Sequence, residues 1–536
     1  MRRRWVLAFC LLAVCPFARP RTLQAQQSSV DVSSYQFRID LPDTGSAIHG
    51  WASVFFDTRR GYDDTLRLDL VGMSVDKVVG IRSLRAVPFS HDGHVLRIAT
   101  RALGRGSLGI MVEYHGTPSD GLIYSAANAR GRRSFFGDNW PNRARFWLPT
   151  MDHPSDKARV MWSVHAPAGM QVVTNAPQCE SSRIASAQSP QAGRSASSCA
   201  ESAPIPTYTM VLAATRMTKS VHRSAISGSD IVPIEVWTYP EDSAFADSVP
   251  FKRATEIVEV MSRLIGPFRY GRLAHLQSST RYGGMENSSA IFYAEQPYVR
   301  RTMGEGVVRH ESAHQWFGDA VTEADWHHVW LSESFATYFD AVVAGQLDGD
   351  SAMKRVMLAD RQQYLASHVI NTPIIDTTIV DPNNVLNANT YPKGAWVLQM
   401  LRHTVGDSAF FHGLRDYYTT YRDSSVLTDA LEGKIESASG ANLGWFFHQW
   451  LWQPGYPQLQ ITADSSGMMA IHQAQPAAWG TFRIDRLPVG LTGAGCPARM
   501  TVDLAAAADQ RVPLTPGCHP ESIRIDPDQD WLISQN

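Results

Sequence analysis

Four histidines and five carboxylates lie among aromatic residues between Arg309 and Phe339. Here His310 and His314 have the H-E-x-x-H form, and residues four apart share one face of a helix, so both imidazoles can face a single ion. Glu311 follows the first histidine and can reach a water molecule held by that ion. Zinc suits such a site because it binds two imidazoles and a carboxylate and leaves a position for water. The spacing therefore predicts one zinc ion.

A third zinc ligand is expected from the segment LSESFATYF, which we predict to be a second helix starting near Ser332. The apolar residues on its buried face are Phe335, Phe339 and Val342. A lone carboxylate among such residues is costly to bury unless it is paired or coordinated, which makes Glu333 the candidate. The alternative is that the two histidines are ordinary residues of a helix face or of the hydrogen-bonded core.

A second motif, RYGGMEN, precedes the histidines by about twenty residues and runs from Arg281 to Asn287. Adjacent glycines let the backbone come close to a ligand or to another strand. By residue type alone, the motif is a turn or strand edge followed by one carboxylate.

The metal motif resembles the signature of the aminopeptidase N family of gluzincins, with 18 residues between His314 and Glu333. The shared context is His314-Gln315-Trp316-Phe317-Gly318, Val321-Thr322 and Trp330-Leu331-x-Glu333. The resemblance implies that His310, His314 and Glu333 bind zinc and that Glu311 is the general base. The departures from the family's usual residues are Asp319 for Asn, Ser334 for Gly and His328 for an acidic residue.

The motif Gly283-Gly284-Met285-Glu286-Asn287 resembles the exopeptidase motif of the same family, usually G-A-M-E-N. The resemblance implies that Glu286 captures the free α-amine of a peptide while the motif backbone aligns the chain. An ammonium group that enters a partly desolvated cleft needs a fixed carboxylate partner. The residues implied to bind substrate are Gly283, Gly284, Met285, Glu286 and Asn287.

The segment NTYPKGA, from Asn389 to Ala395, resembles the family's Y-x-K-G segment. The resemblance implies that Tyr391 donates a hydrogen bond to the developing oxyanion, opposite the zinc. Apart from this resemblance, a tyrosine at the start of a helix is more often a packing residue. Thr337, one turn after Glu333, is a candidate to hydrogen-bond a zinc ligand. Asp138-Asn139-Trp140 replaces the family's Gln-containing pattern, so no side-chain pocket residue is assigned.

The periodicity of apolar and polar residues divides the chain into three parts. Alternating apolar and polar residues, as in SYQFRIDL and SLGIMVEYHG, predict a β domain over residues 30–224. Helical spacing, as in FKRATEIVEVMSRLIGPF and KGAWVLQMLRHTVG, predicts a mainly α catalytic domain over residues 225–453. Alternation returns in QLQITAD and SIRIDPD and predicts a small β domain over residues 454–536.

The fold class is therefore α+β and multidomain. The resemblance adds that the three units are a β saddle, a thermolysin-like domain and a β-sandwich, without the large helical C-terminal domain found in many members. The Ser- and Ala-rich segment CESSRIASAQSPQAGRSASSCAESAP cannot bury a core, and we predict a mobile loop closed by a disulfide.

The N-terminus, MRRRWVLAFCLLAVCPFARPRTLQAQQ, has arginines, a short apolar run and then small residues, which predicts a signal peptide over residues 1–25. Cleavage leaves four cysteines, whose spacing suggests the pairs Cys179–Cys199 and Cys496–Cys518. The chain is thus expected in the periplasm or outside the cell. Lipidation at Cys15 remains an alternative. No other segment is long and apolar enough to cross a membrane.

The composition excludes some partners. Lys and Arg (49) nearly balance Asp and Glu (51), which gives no reason to expect nucleic acid as a partner. The resemblance implies a zinc aminopeptidase that cuts single residues from peptides with a free N-terminus. The alternatives are an inactive peptide-binding scaffold and another zinc hydrolase activity, such as epoxide hydrolysis. A zinc endopeptidase would have no use for Glu286. The sequence leaves the oligomeric state open.

Overall fold

The computed structural model describes residues 29–184, 193–464 and 466–535. The predicted signal peptide lies outside these residues. The chain runs from a β-rich region through a mainly helical region to a second β region, which confirms the predicted α+β class. No helix in the part of the chain that the structure describes combines the length and apolarity needed to cross a bilayer.

The N-terminal region is built on an eight-stranded sheet. Its strands alternate buried and exposed side chains, as Tyr35, Phe37 and Ile39 do within Val30–Asp40, and this period of two follows from the pleat. In spatial order the strands are Cys179–Arg183, Ser195–Cys199, Lys157–Ala166, Val30–Asp40, Ile48–Thr58, Ser107–Gly116 and Ser74–Gly80, with Ile205–Pro206 beside Lys157–Ala166.

Two smaller sheets complete this region. One has three strands, Thr65–Asp69, Val95–Ala99 and Phe89–His91. The other has four strands, in the order Gln171–Thr174, Leu212–Thr215, Ser134–Gly137 and Leu122–Ser125. Ser134–Gly137 is buried on both faces and leads directly into the Asp138-Asn139-Trp140 segment.

The Ser- and Ala-rich segment corrects one expectation. Its two ends are not loop but an antiparallel hairpin, in which Cys179 pairs with Cys199 in register and forms the predicted disulfide. Small polar residues can form such an edge hairpin because main-chain hydrogen bonds and a disulfide hold it without large buried side chains. Residues 185–192 lie outside the described part of the chain.

A five-stranded sheet carries the exopeptidase motif. The strands are, in order, Thr218–Val221, Ile234–Thr238, Leu273–Ser278, Ala290–Ala294 and Gly284–Met285. The motif strand, Gly284–Met285, is the edge strand and pairs antiparallel with Ala290–Ala294. The sheet begins at Thr218, before the boundary expected at residue 225. Leu273–Ser278 was not predicted as a strand.

The helices confirm the helical periodicity of the sequence. The HExxH helix, Glu305–His314, packs against the Glu333 helix, Trp330–Asp348. The turn Asn389–Lys393 is π-helical and leads into a further α-helix. The other helices are Ser243–Ser248, Ala254–Leu264, Glu295–Arg300, Asp350–Leu365, Gly394–Val405, Asp407–Tyr421, Thr428–Ser439 and Gly444–Trp452.

The C-terminal region forms two sheets. The first has strands Asp509–Pro513, Met468–Gln473, Gln458–Ala463 and Ser534–Gln535, and the second has Arg499–Leu504, Ile484–Ala494 and His519–Ile525. The predicted Cys496–Cys518 disulfide is present. Gln449 joins this region to the last helix, because its amide donates to the Arg483 carbonyl and accepts from the Arg483 N–H.

The N-terminal region also positions the site. The amide of Asn175 donates to the Ser288 carbonyl (2.9 Å), and the Ser289 hydroxyl donates back to the Asn175 carbonyl (2.8 Å). The buried Lys157 ammonium donates to the carbonyls of Asp319 and Ala320 (2.7 and 2.8 Å), just after the HExxH helix. Both the exopeptidase motif and the end of the HExxH helix are therefore tied to the β region.

Candidate metal and peptide site

His310, His314 and Glu333 converge on one point between the two packed helices. The Nε2 atoms of the histidines lie 3.2 Å apart, and Glu333 Oε2 lies 3.4 Å from His310 Nε2 and 3.3 Å from His314 Nε2. Three corners of a zinc tetrahedron lie about 3.3 Å apart, given zinc–ligand distances of about 2.0–2.1 Å. The three predicted ligands thus have the spacing of a zinc site.

The electrostatics of this triad also fit a cation. Glu333 Oε2 is buried, and no hydrogen bond reaches it from the residues that the structure describes. Burial would lower the pKa of His314, but the Glu333 carboxylate raises it to about 10. Against its own burial, His314 and His310 hold the pKa of Glu333 well below its usual range. A cation bound between these three side chains would offset the buried charge of the Glu333 carboxylate.

Further contacts hold the ligand side chains in place. His314 Nδ1 lies 3.0 Å from the Ser332 hydroxyl and 3.2 Å from the Phe317 carbonyl, which orients the ring with Nε2 toward the other two ligands. The hypothesis for Thr337 needs correction. Its hydroxyl donates to the main-chain carbonyl of Glu333 (2.8 Å), because a threonine in a helix readily bonds the carbonyl one turn back.

Glu311 is buried beside the motif strand. Burial raises its pKa well above the usual value of a glutamate, while His314 opposes that shift. A Cβ atom on Gly284 would lie 2.1 Å from Glu311 Oε1. The glycine, where the family usually has alanine, thus leaves space that the carboxylate occupies. A carboxyl group with a raised pKa next to a metal site can take up and return a proton.

Glu286 is the third buried carboxylate of this site, after Glu333 and Glu311. A carboxylate oxygen of Glu286, one of Glu311 and a ring nitrogen of His314 lie within 4.8 Å of one another. Burial raises the pKa of Glu286, with Glu333 adding to the shift and His314 opposing it. A cationic partner would relieve the burial of this charge.

Gln315 holds the exopeptidase motif and was missed by sequence reasoning. Its amide donates to the Glu286 carbonyl (2.8 Å) and to Asp319 Oδ2 (2.7 Å), and its oxygen accepts from the Ser289 N–H (2.7 Å). The residue after H-E-x-x-H therefore links the two motifs. Its only sequence signal is its position in the family context.

Asn287 does not lie where the resemblance places it. Its side chain is fully buried, does not line the cavity, and has no hydrogen-bond partner among the described residues. Its carbonyl accepts from the Ala290 N–H and closes the turn between the two strands. Asn287 therefore stabilises the turn after the motif strand and does not face the cavity.

Tyr391 reaches the site from the π-helical turn. Its ring lies nearly parallel to that of His310, with centroids 6.1 Å apart. Burial, with the Glu333 carboxylate, raises the pKa of Tyr391 well above its usual value. The phenol therefore keeps its proton and can donate a hydrogen bond.

Ser334 positions the turn that carries Tyr391. Its hydroxyl donates to the carbonyl of Thr390 (2.6 Å), and a Cβ atom on Gly394 would lie 1.7 Å from the same hydroxyl oxygen. Serine at 334, where the family usually has glycine, thus requires glycine at 394.

This contact predicts a coupled pair of substitutions. Gly394→Ala is expected to destabilise the protein by about 1–3 kcal/mol through overpacking. The same change in a Ser334→Gly background should cost much less, since the clashing hydroxyl is gone. Urea unfolding of the wild type, both single variants and the double variant measures the coupling. Equal losses in the two backgrounds would show that the two residues do not interact.

The site opens into two adjoining cavities. They share Val307, His310 and Tyr391. The second, of 260 Å³, extends past Thr337 and Pro392. The first, of 280 Å³, is lined by Trp140, Tyr282, Gly283, Gly284, Met285, Glu286, Val307, His310, Glu311, His314, Glu333, Leu386 and Tyr391.

His327 and His328, the other two histidines between Arg309 and Phe339, do not lie with the three converging ligands. His327 lies 2.6 Å from Asp325 Oδ1 and 2.9 Å from the Ile379 carbonyl, and His328 lies 2.8 Å from the Thr428 hydroxyl. Neither belongs to a metal-ligand cluster among the residues that the structure describes.

This chain is similar to known peptidases. Residues 251–450 match the Peptidase family M1 domain. Aminopeptidase N of Streptomyces lividans is 27% identical over 508 residues, which cover 87% of this chain and 57% of the relative. Probable aminopeptidase 2 of Sulfurisphaera tokodaii is 24% identical over 455 residues, covering 82% and 55%. The chain thus spans little more than half the length of these relatives.

A solved structure shows the same fold. The M1 zinc metallopeptidase of Deinococcus radiodurans superposes with a TM-score of 0.67 at 24% identity, covering 80% of this chain and 95% of that one. The matched domain contains both histidines, Glu311, Glu333, Glu286 and Tyr391. Residues 251–450 of this chain therefore match peptidase family M1, and 80% of the chain shares the fold of a solved M1 zinc metallopeptidase.

Proposed function

We propose that this chain is a zinc-dependent aminopeptidase that releases the first residue of peptides with a free N-terminus. The observation that carries the proposal is the position of Glu286. It is a buried carboxylate, within 4.8 Å of both Glu311 and His314, in a cavity of about 280 Å³. A cationic α-amine bound there would leave the first peptide bond next to the metal ligands.

The proposed mechanism assigns one task to each residue. His310, His314 and Glu333 would hold zinc, whose chemistry when bound is to acidify a water molecule and polarise the scissile carbonyl. Glu311 accepts a proton from the attacking water as the new C–O bond forms. As the C–N bond breaks, Glu311 returns that proton to the leaving amine.

The remaining residues bind the peptide and orient it. The Glu286 carboxylate accepts hydrogen bonds from the α-ammonium group, and Gln315 fixes the Glu286 main chain. The Tyr391 hydroxyl donates to the carbonyl oxygen as it gains negative charge. These contacts increase the rate by holding the reacting groups in the correct orientation, without forming covalent bonds.

The two cavities give the peptide a direction. The one with Glu286 receives the first residue, and the one past Tyr391 receives the leaving peptide. The Deinococcus radiodurans relative has been solved with a bound Tyr-Ser-Ala substrate, which supports a peptide substrate here. The two disulfides support export to an oxidising compartment.

Hydrolysis of a panel of aminoacyl chromogenic amides tests this proposal. We expect cleavage that a chelator abolishes and added zinc restores, and no cleavage of N-acetylated substrates. Glu286→Gln should lower kcat/KM by roughly 10- to 150-fold, since a hydrogen bond to a charged group contributes about 1.5–3 kcal/mol.

The matched control is Glu521→Gln, which changes an exposed glutamate far along the chain and should leave kcat/KM unchanged. A wild type that binds zinc but cuts no aminoacyl amide would overturn the proposal. A binding scaffold or another hydrolase activity would then be the better interpretation.

A further inference from the structure

Three hydrogen bonds fix the Gln315 amide behind the exopeptidase motif. Its nitrogen donates to the Glu286 carbonyl (2.8 Å) and to Asp319 Oδ2 (2.7 Å), and its oxygen accepts from the Ser289 N–H (2.7 Å). All four residues are buried. If the amide were turned over, its oxygen would face the Glu286 carbonyl and its nitrogen the Ser289 N–H, so only the observed orientation satisfies these groups.

Asp319 is the side-chain partner in this arrangement. The Glu286 carbonyl and the Ser289 N–H are main-chain groups of the segment that Gln315 holds, whereas the Asp319 carboxyl group comes from outside that segment. Loss of this acceptor would leave one Gln315 N–H buried and unpaired, which is costly. Asp319 therefore fixes the end of the Gln315 side chain that binds the motif.

The main chain of Asp319 is itself held on two sides. Its carbonyl accepts from the Lys157 ammonium (2.7 Å), which comes from the β region, and its N–H donates to the His314 carbonyl (3.0 Å). Gly318, at φ +115°, makes the turn between the HExxH helix and Asp319. These contacts fix the position of Asp319 relative to both the β region and the HExxH helix.

Glu286 needs such a contact because strand pairing stops just before it. The edge strand Gly284–Met285 pairs with Ala290–Ala294, and its last paired residue is Met285. At Glu286 the main-chain carbonyl accepts from Gln315 instead. The direction of the Glu286 carboxylate depends on this main-chain position, and a small displacement of a binding group weakens an oriented interaction strongly.

We propose that Asp319 is a positioning residue for the α-amine of the substrate, which acts through Gln315 on the Glu286 main chain. The inference rests on the proposed aminopeptidase function. Asp319 lines neither of the two cavities, so it acts on the peptide only through these hydrogen bonds. A purely structural role would lower the amount of folded enzyme and leave the preference for a free amine unchanged.

The test compares inhibition by two hydroxamates of aminoacyl amide cleavage. One is phenylalanine hydroxamate, which carries a free α-amine, and the other is the hydroxamate of hydrocinnamic acid, which is the same compound without the amine. Both bind zinc through the hydroxamate group, so the ratio of their inhibition constants reports the contribution of the amine. This ratio depends neither on the fraction of folded enzyme nor on its zinc content.

The wild type should bind the amine-bearing hydroxamate more tightly, and Asp319→Ala should reduce that preference by about two- to tenfold. Asp319→Asn should retain it, because the amide oxygen of asparagine can accept the same hydrogen bond from Gln315. The matched control is Asp526→Ala, which removes a buried carboxylate of the C-terminal region that accepts from the Asp530 and Trp531 N–H groups. It should leave the ratio unchanged.

A double variant separates this role from a general effect. In a Glu286→Gln background, Asp319→Ala should lower the ratio no further, because Asp319 acts through Glu286. If Asp319→Ala does not fold, Asp319→Thr is the second variant, since it has a similar volume but its hydroxyl stops one bond short of Gln315. It should lower the ratio as alanine does.

Two results would overturn the positioning role while the aminopeptidase function stands. One is an unchanged ratio in the Asp319 variants, and the other is an equal further loss when Asp319→Ala is added to Glu286→Gln. Absence of cleavage of every aminoacyl amide by the zinc-loaded wild type would instead overturn the proposed function, and the positioning role with it.

Discussion

Glu311→Gln is expected to lower kcat/KM for every aminoacyl amide by roughly 10²- to 10⁴-fold, the usual contribution of a general acid–base residue. Glutamine keeps the shape of the side chain but cannot accept and return a proton. Glu311 is not among the three converging side chains, so the zinc content of the variant should equal that of the wild type. Kinetics together with metal analysis of the purified variant measure both effects.

The folded state should not suffer from this substitution. Burial raises the pKa of Glu311 well above its usual value, so the native structure already disfavours its charge. A neutral amide removes that burden, and we expect a melting temperature equal to or above that of the wild type. Loss of activity without loss of stability separates a chemical role from a structural one.

The matched control is Glu323→Gln. Glu323 is 1% exposed and its carboxylate has no hydrogen-bond partner among the described residues, but it does not line either cavity. This variant should keep near wild-type kcat/KM. If Glu311→Gln instead kept more than a tenth of the activity with zinc bound, the base would have to be another group.

Sequence patterns predicted the elements that have one exposed face. Strands such as Val30–Asp40 and helices such as Ala254–Leu264 show their period because one side meets water. Leu273–Ser278 is buried at every residue and pairs in parallel on both sides, so it has no alternation to detect. The sequence pattern therefore did not predict this central strand.

The site residues also divide into those that the sequence alone predicts and those that it does not. The spacing of His310 and His314 follows from one helix, and physical reasoning on the sequence suffices for it. The roles of Glu286 and Tyr391 came from resemblance, because nothing local indicates that these segments meet the HExxH helix. Gln315 acts through its hydrogen bond to Glu286, across a sequence separation of 29, which a single sequence does not encode in any period.

Two expectations differ from the observed side-chain positions. The Asn287 side chain is buried and does not line the first cavity, and the Thr337 hydroxyl donates to the main-chain carbonyl of Glu333 rather than to its carboxylate. A motif fixes where the backbone runs, whereas the direction of each side chain depends on the turn or helix phase. Side-chain roles taken from a motif therefore need the geometry of the chain itself.

Glu333→Gln is expected to weaken zinc binding by at least about 100-fold, since changing even a group that only supports a metal ligand costs about 10- to 100-fold. The amide is a poorer donor than the carboxylate and no longer offsets the charge of the ion. At zinc equal to 100 times the wild-type Kd, binding stabilises the wild type by about 2.7 kcal/mol. The variant, with binding 100-fold weaker, would gain only about 0.4 kcal/mol.

Thermal unfolding across a zinc titration measures this difference, and activity at low zinc should fall in parallel. Thr337→Val is the matched control, because it removes a hydroxyl one turn away whose hydrogen bond goes to the Glu333 main-chain carbonyl and not to the carboxylate. Its zinc affinity should equal that of the wild type. Unchanged zinc affinity in Glu333→Gln would mean that the carboxylate is not a ligand. The buried Oε2 atom facing both histidines would then need another partner, and the histidine pair alone would have to hold the metal.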